Sequence, residues 1–297
     1  MGDRCISLAQ SDFFMINRSL FIIFLFVFAC FEKFQSEATE YRPWFGKDKV
    51  LDFKTEFTYR YYPHVDQAGT SRPFHSNDYL ANFGLAISPS PEWNFQIEAL
   101  TASSRTTPYS LDSTQYTGSF LFLNDVIGDP VSLAAGISVT QATTNGRKDI
   151  STFHSGQMNY EGFVSIGKET ICRQFWTSRI WGLFGGGIAN RGSPWIRGMI
   201  GYDHNYWDCS HIGILCEGLW GFGKKELNPF LPFRGYGSIK FRSIDLSLFA
   251  AWIVGIGEVK FAYTLRPWAY NFPTHAHAFT VLLTIPINPA QVWRRSL

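Results

Sequence analysis

The ionisable residues of this chain recur at a spacing better suited to shaping a field than to breaking bonds. In residues 50–62 (VLDFKTEFTYRYY), Asp52, Lys54, Glu56 and Arg60 share one parity. Side chains of a strand alternate between its two faces, so these four stand in one column. Extending the rule along the chain adds Asp78, Glu98, Glu161, Arg197, Asp203, His211, Glu217, Asp245, Lys260 and Arg266. Acids and bases mixed on one face can set the field of a constriction. They can equally pair off into a salt-bridged polar core.

Nucleophilic and metal chemistry is harder to build from these residues. His75-Ser76-Asn77 and His154-Ser155 set serine beside histidine, and Asp203-His204 sets an acid beside one. Neighbours on a regular strand point to opposite faces, so none of these pairs can hydrogen-bond within its own strand. A partner across strands is open to His75, but no particular serine is singled out. His275 and His277 share a face yet lack a third ligand. Gly185-Gly186-Gly187 has no strand–loop–helix context that would cradle phosphate. No catalytic residue, metal site or cofactor is therefore assigned, and the chain reads more as a non-enzyme.

The elements that carry these residues are strands. Opposite the charges of residues 50–62 lie Leu51, Phe53, Thr55, Phe57, Tyr59 and Tyr61. The same two-residue beat runs through residues 76–88, 93–103, 131–142, 156–167, 195–204, 209–222, 239–254, 259–266 and 275–287. It is weaker in residues 114–124 and blurred in the glycine-rich residues 174–189. Twelve strands result, at roughly twenty residues per strand and connection, longer than sandwich spacing and suited to tilted spans of ~10 residues. The count becomes thirteen or fourteen if residues 233–243 form a strand of their own. Short turns (residues 89–92, 125–130, 168–173, 255–257) alternate with longer loops (63–75, 104–113, 143–153, 223–238), and NRGSP at 190–194 breaks the rule.

Composition narrows where the apolar face goes. The chain is 17% aromatic and 45% hydrophobic across 297 residues. Such aromatic content without long apolar runs fits girdles at two membrane interfaces. Tyr59, Tyr61, Tyr62, Trp93, Tyr109, Trp176, Trp195, Trp207, Trp220 and Trp268 are expected to form them. A net charge of +2 gives no footprint for nucleic acid. Residues 20–30 (LFIIFLFVFAC) are uncharged and too short to span, matching a signal h-region after Arg18. Ser36-Glu37-Ala38 offers a cleavage site, with Met1 or Met15 as the start. The expected division is a signal peptide over 1–38, a periplasmic segment over 39–49, a barrel over 50–287 and a tail over 288–297. Removing the leader leaves Cys172, Cys209 and Cys216, whose spacing is neither a zinc site nor a disulfide scaffold. Cys172 and Cys209 lie near turns of one rim, so a bridge between them is open; three separate buried thiols are the plainer expectation.

Residues 41–287, with their alternating strands and alternating loop lengths, resemble a Gram-negative outer-membrane β-barrel of the porin-like kind. The resemblance rests on pattern over most of the chain, not on a sharp motif. It implies an all-β, antiparallel, up-and-down transmembrane barrel in the outer membrane. It also implies a bilayer with lipopolysaccharide, the outer-membrane assembly machinery and small polar solutes as partners. The last strand departs from the usual aromatic end, since Thr284-Ile285-Pro286-Ile287 is followed by NPAQVWRRSL. The expected function is a passive channel or transport barrel for small solutes. An outer-membrane lipid hydrolase and a closed structural or adhesion barrel are the alternatives. As lumen or constriction candidates the chain offers Asp52, Lys54, Glu56, Arg60, Glu98, Glu161, Arg197, Asp203, Glu217, Asp245, Lys260 and Arg266.

Overall fold

The structure, a computed structural model, describes residues 41–172, 176–206, 209–255 and 257–287, the side chain of Cys172 excepted. The expected signal peptide and tail lie outside these residues, as do Trp207 and the side chain a Cys172–Cys209 bridge would need. Thirteen strands follow in order: β1 Leu51–Gln67, β2 Thr70–Ser90, β3 Trp93–Ser103, β4 Ser110–Leu123, β5 Ser132–Ala142, β6 Met158–Cys172 and β7 Trp176–Ala189. Then come β8 Trp195–Tyr206, β9 Ser210–Phe222, β10 Lys240–Val254, β11 Gly257–Tyr270, β12 Pro273–Thr274 and β13 Ala276–Ile287.

Every strand of the wall pairs antiparallel with its sequence neighbour, and β1 closes the circle by pairing with both β2 and β13. Phe57, for instance, stands opposite Ala81 on one side and Val281 on the other. β12 is a two-residue piece against His64 and Val65, so the wall itself has the expected twelve strands. Closure is what a sheet in lipid requires, because an open edge there would leave N–H and C=O groups without partners. Residues 233–239 form loop, and β10 begins only at Lys240.

The two-residue beat separates the faces as sequence parity demands. Phe57, Phe83, Ile97, Ile137, Phe184, Ile200 and Leu248 are large, apolar and outward. Glu56, beside Phe57, and Asp78, beside the exposed Tyr79, keep only 2% and 0% of their surface, and both turn inward. Among the described residues no second layer covers the apolar face. Lipid is the medium in which such a wall is stable.

The first long loop differs from expectation. Residues 63–75, with Pro63, Pro73 and Gly69, read as loop, yet β1 and β2 continue as a hairpin to a turn at Ala68 and Gly69. Both turn residues have positive φ, 52° and 87°. The register shifts between Tyr62 and His64, so Pro63 sits at an irregularity where its missing donor is tolerated.

Segments fold into both mouths of the barrel. At the rim with the long loops, taken as outer, residues 143–157 and 223–239 fold over the opening. Ile150, Leu227 and Tyr236 pack there against Tyr62, Trp195, Phe241 and Phe272, with Phe153 against the cluster. Tyr236 donates to the Ile150 carbonyl at 2.5 Å, and burial pushes its phenol well above the ordinary range. Tyr62 and Trp195, expected in the girdle, instead turn inward into this cap, at 1% exposure each.

At the opposite rim, residues 41–49 run into the barrel. Tyr41 and Arg42 reach the lumen wall, while Trp44 donates to Asp125 in the turn between β4 and β5. The indole lies where a Cβ on Gly167 would be, so a larger residue there would displace it. The Lys49 N–H bonds to the Ser88 carbonyl at 2.8 Å and hands the chain to β1.

Candidate functional site

The lumen holds a cavity of about 240 Å³. Nine of the twelve candidates line it: Glu56, Arg60, Glu98, Glu161, Arg197, Glu217, Asp245, Lys260 and Arg266. They come from seven strands, and each reaches the axis because its neighbours in sequence face lipid. Asp52 and Lys54, at the inner end of β1, do not reach the cavity. Asp203 is inward and buried, but the N-terminal segment claims it through an ion pair with Arg42 at 2.8 Å.

The charges are organised in pairs. Arg197 Nε lies 3.0 Å from Glu161, and its Nη1 donates to Glu217 at 3.0 Å. Trp195 Nε1 donates to the second oxygen of Glu161 at 3.0 Å. Arg266 grips Asp245 with two bonds of 2.6 Å, the planar fork that suits a carboxylate. Arg60 reaches Asp78 at 3.3 Å. Gln96 donates to Glu98. Lys260 and Arg266 also stack on aromatic faces, those of Phe249 and Phe272, each at 4.5 Å. A charge taken out of bulk water needs such partners, because an isolated one would be far too costly.

Sequence reasoning missed the two ends of this site. Tyr41 is held by Gln115, which donates to its hydroxyl at 3.1 Å, and by Phe163 at 4.8 Å between ring centres. At the other end His154 and Asp112 form a buried pair at 2.6 Å, with Thr152 donating to the same carboxylate. The available signals were aromatic and apolar residues, such as Tyr41, Trp44 and Phe153, in segments otherwise polar.

The serine–histidine pairs resolve in an instructive way. Ser76 donates to Asp78 on the inner face, while the adjacent His75 is exposed. Ser155 Oγ is buried without a hydrogen-bond partner among the described residues, so it does not complete a triad with His154 and Asp112. A cross-strand contact does occur: Ser178 on β7 faces His204 on β8, Oγ to Nδ1 at 2.8 Å. The other ring nitrogen of His204 has no hydrogen-bond partner among the described residues, so no third group orients this imidazole. His277 is engaged by the Tyr263 hydroxyl at 2.7 Å.

No family model and no curated protein sequence matches the chain. Solved structures do match. An outer membrane channel from Pseudomonas putida F1 aligns with a TM-score of 0.59 at 9% identity, over 84% of this chain and 100% of that one. The KdgM porin aligns at 0.43 and 10% identity, over 80% and 98%. The beta domain of the Bordetella autotransporter Brka aligns at 0.45 and 10% identity, over 80% and 99%. The chain has the fold of an outer-membrane β-barrel.

Proposed function

We propose that this protein is a porin-like passive channel of the outer membrane for small polar solutes, held in a narrowed state. One observation carries the reading. A cavity ringed by acids and bases lies inside a closed wall whose outer face is apolar. Paired charges of both signs set a field without favouring strong binding, as conduction requires. The channel named in the matching Pseudomonas putida F1 structure supports it. On this reading residues 1–38 are the leader, the assembly machinery folds the barrel, and lipopolysaccharide surrounds its outer half. The twelve candidates then act as lumen and constriction residues. Nine contribute directly; Asp203 does so by anchoring Arg42, and Asp52 and Lys54 sit at the inner mouth.

The decisive measurement is single-channel current in planar bilayers. Discrete steps whose size or ion preference changes in Glu98→Gln or Arg197→Gln support the channel. A silent bilayer removes it. A closed structural barrel is the second reading, favoured because the aromatic cap and residues 41–49 occupy both mouths. The Ser178–His204 contact gives the hydrolase reading its one foothold. Fatty-acid release from phospholipid vesicles, lost in Ser178→Ala, would establish it.

A further inference from the structure

We infer that the outer wall carries a binding site for the phosphate groups of an outer-leaflet glycolipid, formed by Lys240 and Arg242 on β10. This rests on the outer-membrane reading above and not on the channel. An open pocket of about 420 Å³ lies on the lipid side of β8, β9 and β10. Ile196, Trp220 and Phe222 form its apolar part, and Lys240 and Arg242 its basic part. Register places these side chains together: Lys240 is opposite Phe222, Arg242 is opposite Trp220, and Ile196 is opposite Trp220 from the other side.

The two cations are unusual for this wall. Most charged side chains of the strands are buried or half-buried, and besides Arg72 and Lys168 only Lys240 and Arg242 of them are exposed among the described residues. Among the described residues neither has an acidic partner within 4 Å; Lys240 only stands 6.0 Å from the Tyr270 ring centre. The concavity has a local cause. Trp220 lies flat over Gly218, occupying the space a Cβ would take, and skirts Gly198. The indole is thereby drawn along the wall and leaves room beside the basic pair.

Height selects the ligand. Arg242 and Trp252 both face outward on β10, ten residues apart. At ~3.3 Å per residue and a tilt near ~40°, that is ~25 Å along the membrane normal, the height of the apolar band. Leu246 and Leu248 fill the interval. Trp252 then marks the inner interface, and Arg242 with Lys240 marks the outer headgroup level. Basic residues at that level, next to a slot for acyl chain, match a phosphorylated lipid in charge and in shape. Arginine and lysine bind phosphate by charge-assisted hydrogen bonds.

Native mass spectrometry of the full-length protein in detergent tests this, with bis-phosphorylated lipid A, dephosphorylated lipid A and inorganic phosphate as probes. Wild type should retain one bis-phosphorylated lipid A. The Lys240→Glu/Arg242→Glu variant should bind it about thirtyfold more weakly, at about fivefold per basic residue. Unheated and boiled samples on a gel confirm that the variant is folded. Equal retention by wild type and variant overturns the site, as does equal retention of the dephosphorylated lipid. Competition by millimolar inorganic phosphate would show a free-anion site and also overturn it. Fractionation of cell membranes reports the outer-membrane reading separately, so the two failures are distinguishable.

Discussion

Arg197 stands between two carboxylates in mid-lumen, its Nε 3.0 Å from Glu161 and its Nη1 donating to Glu217 at 3.0 Å. One positive charge there serves two negative ones, contributed by β6 and β9 from either side of β8. Its guanidinium also lies 5.9 Å from the Tyr41 ring, so it touches the N-terminal segment as well. Arg197→Gln should leave the two acids without this counter-charge. Reversal potentials in a salt gradient should then move toward cation preference, with a stability loss of roughly 1.5–3 kcal/mol for the charged hydrogen bond. Arg197→Lys keeps the charge but not the fork, and should restore selectivity better than stability.

Asp125 controls how residues 41–49 are held at the inner rim. It accepts from Trp44 Nε1 at 3.0 Å, from Ser132 Oγ at 2.5 Å and from the Glu169 N–H at 2.5 Å. Burial pushes its carboxyl up, but the hydrogen bonds from Ser132, Glu169 and Trp44 outweigh it and the net shift is downward. A carboxyl lowered on folding stabilises fully above its ordinary value of 3.8 and loses that contribution as pH falls through the lowered one. Acid should therefore loosen the Trp44 anchor below about pH 4. Tryptophan fluorescence and protease access to residues 41–49 should report a transition there. Asp125→Asn should show looser anchoring already at neutral pH and a smaller acid transition.

Much of this fold is written in parity, and parity survives because lipid enforces it. A single slip along β1 would put Glu56 and Arg60 into hydrocarbon, so register and facing are legible from residues 50–62 alone. The ends of the strands are not enforced this way. Above the membrane, β1 and β2 run on through Pro63 and Pro73, because water accepts either loop or hairpin. The cap was illegible for a related reason. Phe153 and Tyr236 lie in segments without period, and only the meeting of two loops distant in sequence buries them. Residues 41–49 followed the same logic: Tyr41 and Trp44 find their partners Phe163, Gln115 and Asp125 across the barrel. Nine of the twelve lumen candidates line the cavity because only facing was needed to find them. Their pairing, and the loss of Asp203 to Arg42, required three dimensions.

The lipid face gives a prediction independent of conduction. Ile200 lies midway along β8 and is 66% exposed, while the preceding Met199 is buried in the lumen. Ile200→Arg should cost about 2–4 kcal/mol, the penalty for a basic side chain near the bilayer midplane of a barrel. Urea titration of the protein folded into vesicles measures this. A cost below about 0.5 kcal/mol, the range of an ordinary surface change, would mean that this face does not meet hydrocarbon.

The two mouths can be told apart by which one limits current. Tyr236 is 1% exposed, joins Phe153, Phe233, Phe241 and Phe272 through ring contacts of 4.7–6.1 Å, and donates to Ile150. Tyr236→Ala should cost about 3–5 kcal/mol of cap packing, but the wall beneath it is closed by its own twelve strands. Trp44→Ala removes one hydrogen bond and the Arg179 stacking contact at 5.3 Å, and leaves the wall untouched. If the cap limits flow, conductance rises in Tyr236→Ala and stays low in Trp44→Ala. If residues 41–49 limit it, the order reverses. Should both gates lie in series with similar resistance, each variant alone gives a small rise and the double variant a large one. A barrel that stays silent in all three variants removes the channel reading.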